Sequence, residues 1–178
     1  MRDRDVLVKI IRDNIVNPAW GAEVGVWRGE TSRRLLTEFP ELVLVMVDAW
    51  DERVAVTMAP RSKAEGVMAA AEKLAQQVAV DFPLAYILKM KSEVASRRLP
   101  FSVLDFVYID ACHLYESVRR DISSWYPRVR TGGLICGHDY NGKMDRKGKW
   151  GVKRAVDEFA EKRGYKISHG NRVWWMVK

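Results

Sequence analysis

The sequence has few cysteines and no long apolar run. Its 178 residues include two cysteines, Cys112 and Cys136, and both lie in apolar segments. A disulfide scaffold and a Cys-x-x-Cys zinc knuckle are therefore excluded, and we expect two buried, reduced thiols. No window approaches the ~18 consecutive apolar residues of a membrane-spanning helix, and the N-terminus lacks the apolar run of a secretory signal. These absences predict a cytoplasmic protein without a membrane partner.

Two nucleotide-binding motifs are missing as well. Gly25 and Gly29 follow the first apolar run, but Trp27 replaces the central glycine of a Gly-x-Gly-x-x-Gly motif, which disfavours NAD. No Gly-Lys-Ser/Thr triplet occurs, which excludes a Walker loop. The sequence also lacks internal repeats and low-complexity stretches. We therefore expect one domain, over residues 1–178.

The sequence contains ample material for a packed core, with 48% apolar residues and 30% charged residues. Apolar runs predict strands at residues 22–26, 42–47, 85–88, 103–109 and 134–136, and a terminal hairpin over 165–177. Helical spacing predicts helices at 6–15 (within an N-terminal segment 1–18), after a Thr31-Ser32 cap, and at 64–80, 115–125 and 151–163. Apolar strands that alternate with helices predict an α/β fold, a parallel sheet covered on both faces to which the hairpin adds an antiparallel strand.

The ends of the first two predicted strands carry a pattern typical of a nucleoside site. Glu23-Val-Gly-Val-Trp-Arg-Gly29 leads into a helix whose first N–H groups can bind an anion. Asp48 ends the second strand, where a carboxylate typically accepts hydrogen bonds from ribose hydroxyls. A packing turn is the alternative for the two glycines alone, and Asp48 favours the nucleoside ligand.

The ends of the fourth and fifth predicted strands carry ionisable side chains. Asp110 and His113 follow one strand, and His138 and Asp139 follow the other. Since neighbouring parallel strands end at the same edge, we expect the four side chains to form one cluster. Two carboxylates and an imidazole suit a divalent ion, and a second imidazole can act as a base.

These segments resemble the small class I S-adenosylmethionine-dependent methyltransferases, especially the group of macrocin-type O-methyltransferases and cephalosporin-hydroxylase-like proteins. The resemblance covers about residues 20–160 and is strongest in Tyr108-Ile-Asp-Ala-Cys-His-Leu-Tyr-Glu116 and Gly132-Gly-Leu-Ile-Cys-Gly-His-Asp-Tyr140. It implies a Rossmann-like sheet of seven strands with an antiparallel last strand and helices on both faces. The cofactor implied is S-adenosylmethionine.

The resemblance also implies residue roles in cofactor binding. It places the methionine part over residues 25–29, the ribose at Asp48, and the adenine near Trp50 or Ser92, although a core role for Trp50 is nearly as well supported. The implied contacts are Glu23, Gly25, Val26, Trp27, Gly29, Asp48, Ala49, Trp50, Ser92 and Asp110.

The resemblance assigns the chemistry to Asp110 and His113, as metal ligand and general base, with His138 and Asp139 completing a metal site. His138 replaces a carboxylate of the pattern. Because that replacement removes negative charge, Mg²⁺ would bind more weakly, a softer ion would replace it, or no metal would be needed. The resemblance implies O-methylation of a small hydroxylated acceptor. Among divalent ions, Mg²⁺ is the one that the resemblance favours.

The charged residues leave alternatives open. The net charge is +7, and residues 141–154 hold six Lys or Arg and one Asp, which is +5. We expect residues 141–150 to form a basic lid loop that attracts an acidic acceptor, with a solvated loop as the alternative. Nucleic-acid methylation is a second hypothesis, disfavoured because no Asp-Pro-Pro-Tyr or Asn-Pro-Pro-Tyr motif occurs. A cofactor-binding domain without catalysis is a third, and the apolar segment 173–177 makes a homo-oligomer plausible.

Overall fold

The computed structural model describes residues 2–51, 66–148 and 150–178. The strands are β1 Trp20–Val24, β2 Val43–Asp48, β3 Ala85–Lys89, β4 Leu104–Ile109, β5 Val129–Gly137, β6 Ser168–Gly170 and β7 Val173–Val177. The helices are α1 Asp3–Asn14, α2 Glu30–Glu38, α3 Val67–Asp81, α4 Ser92–Ser96, α5 Tyr115–Trp125, α6 Gly142–Arg146 and α7 Val152–Arg163, and a 3₁₀ turn spans Tyr126–Arg128.

The seven strands form one sheet in the order β3-β2-β1-β4-β5-β7-β6. Strands β1 to β5 are parallel, and β7 runs antiparallel to both β5 and β6. This confirms the predicted fold class. The strand order reverses between β1 and β4, and such a switch point opens a crevice at the carboxyl ends of the strands.

The sheet is covered on both faces by apolar cores. Helices α1, α2 and α3 pack on one face with Leu44 and Met46 of β2. Helices α4, α5 and α7 pack on the other face with Val45 and Val47 of the same strand. Because neighbouring residues of a strand point to opposite faces, a six-residue apolar run supplies both cores.

Several predicted local features are wrong. Helix α2 begins at Glu30 after Gly29, whose φ of 77° lies in the left-handed region, so Thr31-Ser32 is inside the first turn and does not cap it. The fifth strand is nine residues long because Gly132 and Gly133 extend it instead of turning it. In the hairpin, the first strand begins at Ser168 and not at residue 165.

The segment 141–150 and the cysteines also differ from prediction. The segment contains the five-residue helix α6, capped by the Asn141 side chain, so it is not a loop throughout; residue 149 lies outside the described residues, as do residues 52–65. Cys136 is buried as expected, but Cys112 is exposed. Across the described ranges, the helices are too short or too polar to cross a bilayer.

Candidate cofactor and catalytic site

The glycine loop, residues 25–29, joins β1 to α2 at the carboxyl end of the sheet. Gly25 has a φ of 92°, and a Cβ atom there would lie 2.3 Å from the carbonyl oxygen of Asp110. A Cβ at Gly29 would lie 2.8 Å from a methyl group of Val78 on α3. Both positions therefore require glycine, because the backbone is left-handed and the neighbours are in contact. The loop lies directly against the end of β4, where the predicted catalytic residues begin.

Asp48 braces this loop from the end of β2. Its Oδ2 accepts hydrogen bonds from the backbone N–H groups of Val26 and Trp27, each at 3.0 Å. Its Oδ1 accepts from the N–H of Trp50 at 2.9 Å, across the intervening Ala49. The sequence predicts a ribose contact for Asp48 but not these hydrogen bonds to the loop. The two uses are compatible, because a carboxylate has about four acceptor sites and three are occupied here.

The two tryptophans beside the loop have different surroundings. Trp50 is 5% exposed and packs in the core with α3, and its indole N–H donates to the carbonyl of Trp27 at 2.9 Å. This supports the core alternative for Trp50. Trp27 is 40% exposed and has a positive φ of 54°. It presents its side chain at the carboxyl end of the sheet.

Glu23 lies beneath the loop and is 1% exposed. The hydroxyl of Ser32, on α2, donates a hydrogen bond to its carboxyl group. Burial raises the pKa of Glu23 to about 8, with a smaller contribution from the charges of Asp110 and Asp48. Glu23 is therefore mostly protonated at neutral pH. Its predicted contact with the cofactor would be made by a neutral carboxylic acid.

Ser92 begins α4, just after β3. Its hydroxyl accepts a hydrogen bond from the indole N–H of the buried Trp125 at 2.9 Å. Burial raises the pKa of the neighbouring Asp121 to about 6, although a hydrogen bond from Ser92 opposes that rise. The hydroxyl is thus engaged between α4 and α5, and an adenine contact at Ser92 stays a prediction.

The predicted catalytic residues meet where β4 and β5 end. Ligand atoms of Asp110, His113 and Asp139 all lie within 4.8 Å of one another. The Nε2 of His113 is 3.0 Å from Asp139 Oδ2 and 3.9 Å from Asp110 Oδ1. The Nδ1 of His138 is 3.3 Å from Asp139 Oδ2 and 3.7 Å from Asp110 Oδ1. Both imidazoles therefore flank the same pair of carboxylates, as the topology predicted.

Two further residues, Asp3 and Arg172, join this cluster and were missed in the sequence. Asp3 Oδ2 lies 2.9 Å from Nε2 of His138. The guanidinium of Arg172 donates to Asp3 Oδ2 at 2.8 Å and to Asp139 Oδ1 at 3.2 Å. Asp3 begins α1 and Arg172 lies in the turn between β6 and β7, so both ends of the chain close the site. No local spacing marks either residue, because the contacts depend on the tertiary fold.

The charges of the cluster shift its pKa values in opposite directions. Hydrogen bonds with Asp110 and then Asp139 raise the pKa of His113 to about 9. Burial would raise the pKa of Asp139, but His113 and His138 outweigh it and hold that pKa well below its usual range. His113 therefore carries a proton at neutral pH in this arrangement and must lose it before it can act as a base.

Residues 22–140 of the chain match the family described as a methyltransferase domain. The match covers most of the sheet and includes the glycine loop, Asp48 and the cluster at the ends of β4 and β5. The chain belongs to this methyltransferase domain family. It is an S-adenosylmethionine-dependent methyltransferase, which confirms the resemblance found in the sequence.

Solved structures share the fold of this methyltransferase. A candidate caffeoyl-CoA O-methyltransferase from Staphylococcus aureus is 13% identical, with a TM-score of 0.73 over 100% of this chain and 84% of its own. The O-methyltransferase NovP is 21% identical, with a TM-score of 0.65 over 99% and 78%. A candidate rRNA methylase from Clostridium thermocellum is 11% identical, with a TM-score of 0.66 over 100% and 98%. At these identities the likeness shows the fold alone. No curated protein sequence matches the chain.

The methyltransferase has a donor set that fits a divalent cation. Asp110, Asp139 and one imidazole are the oxygen and nitrogen ligands that such ions take. The predicted set of Asp110, His138 and Asp139 stays a prediction, because Nδ1 of His138 also lies 3.7 Å from Asp110 and 3.3 Å from Asp139. Both oxygens of Asp139 already have partners, Arg172 on one side and the imidazoles on the other. A cation would therefore compete with Arg172 and His113 for this carboxylate.

The end of the segment after β5 is fixed against His113, the predicted base. The N–H of Gly151 donates to the carbonyl of His113 at 2.8 Å. A Cβ at Gly151 would lie 2.3 Å from Cβ of Tyr115, so α7 begins in direct contact with α5. The ring of Trp150 lies 4.9 Å from the imidazole of His113, measured between centroids. Trp150, the last residue of the predicted lid, is therefore in contact with His113, the predicted base.

Proposed function

We propose that the enzyme methylates a hydroxyl oxygen of a small, negatively charged acceptor, with His113 as the group that removes the hydroxyl proton. One observation carries the proposal: Asp110, His113 and Asp139 converge at the carboxyl end of the sheet, and Asp110 touches the glycine loop through its carbonyl. Methyl transfer to oxygen requires the acceptor hydroxyl to lie in line with the methyl group of the cofactor and within reach of a base. A base close to the cofactor loop meets this requirement.

Different residues bind the cofactor and remove the proton of the acceptor. When bound, S-adenosylmethionine supplies an electrophilic methyl group on a sulfonium. The glycine loop and Asp48 hold the cofactor at the start of α2, whose free N–H groups favour a carboxylate. Asp139 Oδ2 lies 3.0 Å from Nε2 of His113, so that nitrogen donates its hydrogen to the carboxylate, the other ring nitrogen takes the hydroxyl proton, and Asp139 stabilises the imidazolium that forms. The positive charge of the bound sulfonium lowers the pKa of His113 and so favours the neutral imidazole that proton removal needs.

A divalent cation is compatible with this scheme but is not required by it. Asp110, His113 and Asp139 would hold the ion, which would lower the pKa of the acceptor hydroxyl. A neutral imidazole has one free lone pair, which can bind an ion or take a proton but not both, so the ligand and base roles of His113 exclude each other. His138 lies near both carboxylates and could replace His113 as the ligand.

The negative charge of the acceptor is inferred from the segment that follows β5. Within the described part of the chain, Lys143, Arg146 and Lys147 form no ion pair with a carboxylate, whereas Asp145 accepts a hydrogen bond from the N–H of Arg154. Unpaired cations beside a site raise the local concentration of anions. This supports a basic lid and an acidic acceptor.

The test uses labelled S-adenosylmethionine, a panel of hydroxyl compounds with and without a carboxylate, and RNA, each with and without EDTA. We expect label in acidic hydroxyl compounds. Changing His113→Gln should lower turnover by about 100-fold or more, while the affinity for S-adenosylhomocysteine changes little. His169→Gln is the matched control, because His169 is exposed and lies outside the cluster.

Three results would contradict parts of the proposal. Unchanged turnover in the His113→Gln variant would exclude His113 as the base. Label found in RNA, with binding that weakens steeply as salt rises, would favour the nucleic-acid alternative. Turnover lost in EDTA and restored by Mg²⁺ would show that the cation is required and would assign His113 or His138 to it.

A further inference from the structure

Trp150 is the aromatic side chain nearest to the predicted base. Its ring is tilted by 45° to the imidazole of His113, with the centroids 4.9 Å apart. The side chain is half-buried, and within the described residues its indole N–H has no hydrogen-bond partner. Trp125 and Trp50, by contrast, are buried and donate their N–H groups to protein oxygens. Trp150 therefore has an accessible surface and a free donor at the site.

The position of Trp150 is fixed by the backbone on its C-terminal side. Gly151 donates its N–H to the carbonyl of His113 and packs without a Cβ against Tyr115. The Tyr115 ring is already covered by Arg154, whose guanidinium carbon lies 4.2 Å from its centroid. Trp150 is thus the ring beside His113 whose surface is left for another molecule.

Two more apolar side chains stand at this end of the sheet. Trp27 follows β1 and is 40% exposed, and Leu114 follows β4, next to His113, and is 59% exposed. Single exposed apolar residues are common and need no explanation. Two of the three lie beside His113, Trp150 through its ring contact and Leu114 as the next residue, and Trp27 lies on the glycine loop, so together they indicate a surface that recognises an apolar group.

We propose that Trp150 is a specificity-determining residue that forms a wall of the acceptor site, and that the acceptor is an aromatic hydroxyl compound. The inference rests on the proposed O-methylation at His113 and adds the class of acceptor. A planar ring that lies along the indole gains stacking and burial, and it directs a ring hydroxyl towards the neighbouring imidazole. A saturated ring of the same size fits the indole face less closely.

The experiment compares two acidic acceptors that differ in planarity. 3,4-Dihydroxybenzoate and quinate each carry one carboxylate and neighbouring ring hydroxyls, but the ring of quinate is saturated. We expect the wild-type enzyme to favour 3,4-dihydroxybenzoate in kcat/KM. Trp150→Ala should lower kcat/KM for that compound about tenfold, mainly through KM, and Trp150→Phe should restore most of the loss.

Binding and a matched variant complete the test. Titration calorimetry of 3,4-dihydroxybenzoate into the enzyme with S-adenosylhomocysteine should reveal weaker binding in Trp150→Ala, with the affinity for S-adenosylhomocysteine unchanged. Trp20→Ala is the control, because Trp20 is also a solvent-accessible tryptophan but begins β1, at the opposite end of the sheet. We expect Trp20→Ala to leave both acceptor affinity and turnover unchanged.

The outcomes separate the inference from the proposed function. Equal effects of Trp150→Ala on both acceptors, or a wild-type preference for quinate, would overturn the role of Trp150 while leaving O-methylation intact. If no hydroxyl compound of the panel accepts a methyl group, the proposed function fails and the inference fails with it.

Discussion

Two buried carboxyl groups, Glu23 and Asp139, lie in the two halves of the candidate site. The predicted cofactor half comprises residues 23–29 and Asp48, and the proposed acceptor half comprises Asp110, His113 and Asp139 with the side chains around them. Glu23 lies under the glycine loop in the cofactor half, where Ser32 is its hydrogen-bond partner and burial raises its pKa. Asp139 lies in the acceptor half, where His113 and His138 lower its pKa against the effect of burial. The same chemical group is thus kept neutral in one half and charged in the other.

The difference reflects how each half is built. The cofactor half is defined by the backbone: left-handed residues at Gly25, Trp27 and Gly29, and N–H groups held by Asp48. The acceptor half is defined by charged side chains that come from separate parts of the chain. The first arrangement suits a constant ligand, and the second can be altered residue by residue to suit an acceptor.

The largest effect that we expect is the pH dependence caused by Glu23. Because burial raises its pKa in the folded protein from 4.5 to about 8, the folded state keeps a proton that the unfolded state has lost over that interval. The free energy of unfolding should therefore fall as pH rises from 4.5 to 8, by up to about 1.4 kcal/mol per pH unit, and level off above. Urea denaturation of the wild type and of Glu23→Gln across this range measures the effect.

The Glu23→Gln variant isolates this carboxyl from the other titrating groups. As pH rises, the free energy of unfolding of the variant should increase relative to that of the wild type, because the amide does not ionise. Parallel curves for the two proteins would mean that Glu23 is ionised in the folded state, and the contrast with Asp139 would disappear.

A smaller effect should follow from breaking the bracing of the glycine loop. In Asp48→Asn, an amide group must face backbone N–H groups, which costs about 1–3 kcal/mol in the free energy of unfolding. Asp105→Asn is a close match, because Asp105 accepts from the N–H groups of Ala19 and Trp20 at the opposite end of the sheet. Both variants should lose similar stability.

Cofactor binding should distinguish these two variants. We expect about a tenfold loss of affinity for S-adenosylhomocysteine in Asp48→Asn and none in Asp105→Asn, by titration calorimetry. Equal affinities in the two variants would mean that the loop keeps its shape without Asp48, and that the backbone of the cofactor half is set by its glycines.

The sequence predicts the path of the chain through β1 and the glycine loop for a physical reason, and the cofactor contacts assigned to these residues stay predictions. Strand β1, the glycine loop and Asp48 lie within 29 residues, and the conformations involved depend on local residue types. Asp110, His113 and Asp139 were also predicted, because parallel strands end at a common edge. The hydrogen bonds that Asp48 makes could not be predicted, since a carboxylate at a strand end can bind either backbone or ligand.

The rest of the acceptor half depends on contacts between distant parts of the chain. Asp3 and Arg172 are 169 residues apart and meet only because α1 and the β6–β7 hairpin pack at the same end of the sheet. Trp150 ends the basic segment that is predicted as a lid loop, and its contact with His113 follows from where α7 begins. Neither feature has a periodic signal in the sequence.

Arg172 offers the most selective way to test the acceptor half. Its side chain is 52% exposed, so Arg172→Met should lower the free energy of unfolding by less than about 1 kcal/mol. Turnover should still fall several-fold, because Asp139 Oδ1 loses its donor and the carboxylate is no longer held towards His113. Arg33→Met is the matched control, since Arg33 is 47% exposed and pairs with Asp81 away from the site. We expect this control to lose similar stability and no turnover. Equal turnover in both variants would mean that the two histidines alone orient Asp139, and that the contribution of the hairpin to the site is structural.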